Sequence, residues 1–130
     1  MMSKRILVVD DEREFADLLR YRLQGESYEV ACAASGTEAL EAARKLAPDA
    51  ILLDLLLPDL DGVSVCEILR RQPVTRNTPI ILISALTSDP TRIAAETAGA
   101  SAYFGKPLDF SALKRALESL LALCVTPAAG

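Results

Sequence analysis

The chain has 130 residues with a formal net charge of −4, and 51% of them are hydrophobic and 25% charged. That length and balance fit one folded domain able to enclose its own core, and they exclude a disordered segment. The acidic balance, with Lys and Arg scattered among acids, argues against direct nucleic-acid binding, and no apolar run reaches the roughly 20 residues that a membrane span needs.

Residues 1–5 carry two basic side chains but lead into only four apolar residues, Ile6-Leu7-Val8-Val9, before Asp10 and Asp11, so they are not a signal peptide. A strand is expected over 5–10, then a helix with the apolar stripe Phe15, Leu18, Leu19 and Leu23. A second strand over 28–33 precedes a helix opened by Ser35-Gly36-Thr37-Glu38 and carrying Leu40, Ala43 and Ala47. The third strand, 50–54, is followed by a loop and by a helix after Asp61-Gly62 that carries Val65, Ile68 and Leu69; Asp59 reads as a loop residue and Asp61 as a cap. A fourth strand over 79–84 leads to a helix over 90–98 that ends at Gly99. The fifth strand, 101–104, is followed by a helix capped by Asp109 and carrying Leu113, Leu117, Leu120 and Leu121. Residues 4–124 then form the domain, and 125–130 a C-terminal tail or the start of a linker.

Five alternations of short apolar run and helical period are the pattern of βα units around a parallel sheet, an α/β fold. The unbroken cores Ile6-Leu7-Val8-Val9, Ile51-Leu52-Leu53 and Ile80-Ile81-Leu82-Ile83 are those of strands covered on both faces. Cys32, Cys66 and Cys124 are an odd set without C-x-x-C spacing, and the chain has no histidine, so each reads as a small buried hydrophobe in a reducing, cytoplasmic setting.

Open α/β sheets bind ligands outside the carboxyl ends of their strands. Asp10-Asp11-Glu12, Asp54 and Ser84 end strands one, three and four, and Lys106 follows strand five. Converging carboxylates repel one another, and a hard divalent cation with oxygen ligands relieves that repulsion. Mg²⁺ suits the set, with Asp11 and Asp54 as direct ligands and Asp10 orienting a water. Lys106 adds a second positive charge and Ser84 a hydroxyl donor. Such a site can receive a phosphoryl group, which needs charge neutralisation more than acid-base chemistry, and a carboxylate nucleophile yields an acyl phosphate.

The runs Val8-Val9-Asp10-Asp11-Glu12, Leu53-Asp54-Leu55-Leu56-Leu57-Pro58-Asp59-Leu60-Asp61-Gly62, Ile83-Ser84-Ala85 and Ala98-Gly99-Ala100-Ser101-Ala102-Tyr103-Phe104-Gly105-Lys106-Pro107 resemble the response-regulator receiver family of two-component signalling. The resemblance implies a single doubly wound, five-stranded parallel sheet of order 2-1-3-4-5 flanked by five helices, a flavodoxin-like fold. It implies Asp54 as acceptor of a phosphoryl group from a histidine kinase or histidine phosphotransfer protein, and Asp10 and Asp11 as the acidic pair. It adds the Leu56 backbone carbonyl as a further Mg²⁺ ligand, and Ser84 and Lys106 as contacts of the phosphoryl oxygens. Ser84 and Tyr103 become a switch that alters the surface of helix four, strand five and helix five, and the Lys106-Pro107 bond is expected to be cis. The domain would be a signalling module rather than an enzyme, catalysing only its own phosphorylation and slow dephosphorylation.

Two departures from the family pattern carry expectations of their own. Leu56 and Leu86, two residues past the acceptor and the switch hydroxyl, are apolar where many relatives are polar, so slow self-dephosphorylation is expected. Ser101-Ala102 replaces commonly acidic positions of relatives that dimerise through this face, which leaves a homodimer of that kind open.

Other classes fit less well. Gly99 and Gly105 are one residue too far apart for a Walker loop, and Pro107 follows Lys106. An aspartyl phosphatase would want a second aspartate where Leu56 stands, and a flavin module would not place Asp11-Glu12-Arg13-Glu14 at its phosphate loop. The remaining alternative is a receiver-like interaction module that takes no phosphate.

Overall fold

The computed structural model describes residues 3–123. Cys124 and the expected tail over 125–130 lie outside them. Strands β1 (Arg5–Val9), β2 (Glu29–Ala33), β3 (Ala50–Leu53), β4 (Ile80–Ser84) and β5 (Ala102–Gly105) alternate with helices α1 (Arg13–Gly25), α2 (Gly36–Leu46), α3 (Gly62–Arg71), α4 (Asp89–Ala98) and α5 (Phe110–Leu123). The strands are parallel and form one sheet in the order β2-β1-β3-β4-β5. This is the α/β architecture and strand order expected from the sequence.

Alternate residues of the central strands feed two cores. Leu7, Val9, Ile51, Leu53, Ile80 and Leu82 pack with Ala39, Ala43, Val65, Leu69 and Ala95 of α2, α3 and α4. Ile6, Val8, Leu52, Ile81 and Ile83 pack with Leu19, Leu23, Leu113 and Leu117 of α1 and α5. Each fully buried Leu or Ile contributes about 2 kcal/mol, so the interior strands hold the fold and the rim is free to be polar.

Several boundaries and faces differ from the sequence reading. Strands β1 and β3 stop one residue short of Asp10 and Asp54, whose amides make the last cross-strand bonds, to Ala33 O and Val9 O. Strand β5 is shifted one residue onward, so Lys106 follows it directly. Helix α4 starts before Pro90, because Ser88 caps it by accepting from the Thr91 amide. On α1 the buried set is Ala16, Leu19 and Leu23, and Leu18 is 57% exposed because it lies off the i, i+3, i+7 stripe. Ala47 is the left-handed C-cap of α2 and is exposed. Cys66 is buried as expected, but Cys32 is exposed, because β2 is an edge strand with only partial cover.

Candidate functional site

Each of the first, third and fourth strands ends in the same local device. The Glu12 amide donates to Asp10 Oδ1 (2.8 Å), the Leu56 amide to Asp54 Oδ1 (3.1 Å) and the Leu86 amide to Ser84 Oγ (3.2 Å). A short polar side chain that takes the amide two residues on turns the chain sharply as it leaves the strand. The turns place Asp10, Asp54 and Ser84 at the carboxyl rim while keeping them 5%, 5% and 0% exposed.

Lys106 closes the arrangement from β5, its own amide bonded to Ser84 O. Its Nζ lies 2.9 Å from Asp10 Oδ2, 2.6 Å from Glu12 Oε1 and 3.3 Å from Asp54 Oδ2, and 4.2 Å from the centre of the Phe15 ring. Burial works against its charge, but the Glu12 and Asp10 hydrogen bonds and the Asp54 charge outweigh it and hold the ammonium well above the ordinary lysine range. Burial raises the Asp10 carboxyl, against the Glu12 amide and Lys106, which lower it.

Glu12, which the sequence reading passed over as a site residue, therefore belongs to the cluster. Among the described residues, Asp10, Glu12 and Asp54 bring carboxylate oxygens within 4.8 Å of one another. Asp11 is exposed and stands outside that group, at a depression bordered by Arg13, Arg20 and Glu38. Three carboxylates against one ammonium leave a net of two negative charges, and the donors are hard oxygens, a set that could hold a divalent cation.

Leu56 and Leu86 are 53% and 43% exposed and line a shallow apolar depression with Val63, Pro90 and Ala94 beside Asp54 and the loop that follows it. The Tyr103 hydroxyl is buried without a hydrogen-bond partner; Ser84 is near enough to lower its pKa but does not reach bonding geometry. Burial is the larger influence and pushes the phenol up, while Arg92, 5.6 Å over the ring, pulls it down. The Lys106-Pro107 peptide bond is cis. The Ser101 hydroxyl accepts from the Ile80 amide at 3.1 Å and lies 3.3 Å from Arg70 Nη2, so it is engaged within the domain.

Asp59, read from the sequence as a loop residue, spans from the loop between β3 and α3 to α2. It accepts from the Gly36 amide (2.7 Å), the Thr37 amide (2.9 Å), the Thr37 hydroxyl (2.6 Å) and the Leu60 amide (2.8 Å). Nothing local in the sequence signals this, since Thr37 stands 22 residues earlier.

Known proteins resemble this chain in sequence and in fold. The profile of the response regulator receiver domain matches residues 6–118. The response regulator PleD of Caulobacter vibrioides is 44% identical over 119 residues, which are 92% of this chain and 26% of PleD. The DNA-binding response regulator MtrA of Mycobacterium tuberculosis is 41% identical over 106 residues, 82% of this chain and 45% of MtrA. The chain thus spans less than half the length of either relative. The BeF3-activated N-terminal receiver domain of Klebsiella pneumoniae RstA superposes with a TM-score of 0.84 at 31% identity, over 91% of this chain and 98% of that one.

Proposed function

The chain belongs to the response regulator receiver domain family, and from that premise we propose that it is a phosphoacceptor switch in which Asp54 takes a phosphoryl group from a histidine kinase or histidine phosphotransfer protein. The observation that carries this reading is the single Lys106 ammonium shared by Asp10, Glu12 and Asp54 at the strand ends. In the transfer an Asp54 carboxylate oxygen forms the new O–P bond as the N–P bond of the phosphohistidine breaks, with the electron pair returning to the imidazole nitrogen.

Asp54 is held for that reaction by the Leu56 amide on Oδ1, which leaves Oδ2 toward Lys106. Lys106 stays cationic through any physiological pH and is the counter-charge for phosphoryl oxygens; Ser84 offers its hydroxyl from the neighbouring strand. Asp10 and Asp54, whose oxygens converge, with the Leu56 carbonyl, are the residues we assign to hold Mg²⁺; Asp11, exposed and outside the cluster, would have to turn inward to join them, and Glu12 is a competitor for Lys106 and a further candidate. Bound there, Mg²⁺ would neutralise the acidic set and the charge of the incoming phosphoryl group. Ser84 moving toward the phosphoryl group would give the unpartnered Tyr103 hydroxyl room to turn, changing the α4-β5-α5 surface read by a downstream partner.

MtrA is named as DNA-binding, but a net charge of −4 speaks against a phosphate-backbone surface in these residues themselves. Among the described residues no helix is long and apolar enough to cross a membrane, which is compatible with a cytoplasmic setting. Incubation with acetyl phosphate should label the chain when Mg²⁺ is present and fail to do so with a chelator or in Asp54→Asn. Label that is independent of the metal or that persists in Asp54→Asn would contradict the reading, and no label at all would favour a receiver-like interaction module.

A further inference from the structure

Helix α2 begins with amide groups that need acceptors from outside the helix. Ser35 caps it in the usual way, its Oγ accepting from the Glu38 amide at 3.1 Å, with Glu38 reaching back to the Ala34 amide at 3.0 Å. The Gly36 and Thr37 amides are instead taken by the two oxygens of Asp59. That carboxylate comes from the loop between β3 and α3, five positions after the acceptor.

The loop is tightly seated at both ends. A side chain at Gly36 would meet Leu60 Cβ at 2.8 Å and Val65 Cγ2 at 3.1 Å, so the start of α2 lies directly against the loop. At the other end the Gly62 amide bonds Leu55 O at 2.8 Å, and a Cβ on Gly62 would fall 2.6 Å from Leu55 Cα. Between these closures stand Leu56, Leu57 and Pro58, and the Leu56 amide is the group that turns the Asp54 carboxylate. A shift of the loop would therefore move Asp54 Oδ1 and the Leu56 carbonyl together.

We propose that Asp59 is a positioning residue of the phosphoacceptor site: gripped by the N-terminus of α2, it fixes the loop that presents the Asp54 carboxylate and the Leu56 carbonyl. The proposal depends on the phosphoacceptor reading above and extends it to a residue with no direct part in the chemistry. The acidic group suits the place twice over, as acceptor for three donors of α2 and as a negative charge at a helix start. The Asp59 carboxyl is held well below the ordinary range by the Thr37 hydroxyl and the Thr37 and Gly36 amides, so it remains ionised wherever the protein works.

The test compares the whole chain with Asp59→Ala, Asp59→Asn and Thr37→Ala, measuring the Mg²⁺ dissociation constant by calorimetry, the unfolding midpoint, and the rate of labelling by acetyl phosphate at saturating Mg²⁺. Asp59→Ala should weaken Mg²⁺ binding about tenfold, the scale expected when a preorganised ligand set is loosened. Asp59→Asn should fall between the two, and Thr37→Ala nearer to the parent. The loss should show in Mg²⁺ affinity, and the saturated labelling rate should fall as well, because the same loop turns the Asp54 carboxylate. A variant that melts earlier yet binds Mg²⁺ like the parent would overturn the proposal and make Asp59 a cap only. If Asp59→Ala does not fold, Asp59→Asn decides by the same two results. A parent chain that binds Mg²⁺ and takes label, with Asp59→Asn identical to it, overturns this inference alone; a parent that does neither overturns the phosphoacceptor reading.

Discussion

If Asp54 takes a phosphoryl group as proposed, the side chains around it would set how long that group lasts. Leu56 and Leu86 project at 53% and 43% exposure and offer an attacking water no hydrogen bond. Leu56→Asn and Leu86→Glu should each shorten the aspartyl-phosphate lifetime by roughly fivefold, the equivalent of about 1 kcal/mol of water positioning. Decay of label after donor removal measures this, and unchanged decay would contradict it. Asp59 makes a separate prediction in acid. Its folded-state pKa is lowered, so its contribution to stability is present above the unfolded value of about 4 and is lost as pH falls toward the folded one. Asp59→Asn should be less stable than the parent at pH 7, with the gap narrowing below about pH 4 in thermal melts. Asp10, Asp54 and Lys106 could be found in the sequence because each directly ends or follows an apolar strand. Glu12 could not, since it lies two residues past the strand end and its reach to Lys106 depends on how the chain turns there, and Asp59 could not, since its partner Thr37 stands 22 residues away on another element.

The elements are joined by a second long-range residue, away from the acidic rim. Arg70 of α3 donates to Gly99 O at 2.9 Å and Thr78 O at 2.6 Å, and reaches the Thr75 carbonyl and the Ser101 hydroxyl as well. It thereby ties the end of α3 to the loops entering β4 and β5. Arg70→Ala should cost about 1–3 kcal/mol in denaturant unfolding by orphaning those carbonyls. Arg70→Lys should restore little, because an ammonium cannot reproduce the planar fork of donors. In sequence Arg70 is one more basic residue near a helix C-terminus. The apolar strands, by contrast, could be placed closely from composition. Their ends moved by a residue where Pro79 lacks an amide donor or a terminal acid turned the chain. The face of Cys32 depended on which strand lay at the sheet edge, and that of Leu18 on which of two overlapping apolar stripes of α1, one through Phe15 and Leu18 and one through Ala16, Leu19 and Leu23, was the buried one.

At the scale of the whole molecule, the order β2-β1-β3-β4-β5 brings Lys106 to Asp10 across 96 positions of chain. The parallel alternation made that convergence legible, since every functional group stands at the same end of its strand. Its fine geometry was not legible, because an ammonium choosing among carboxylates is settled by distances of a few tenths of an ångström. The expectations for labelling and its decay depend on Asp54 being the residue that carries the phosphoryl group. The direct measurement is to treat the chain with acetyl phosphate and Mg²⁺, reduce it with borohydride, and map the modified peptide by mass spectrometry. Conversion of Asp54 to homoserine is expected, with none in Asp54→Asn. Modification at another acid, or at no residue, would contradict it.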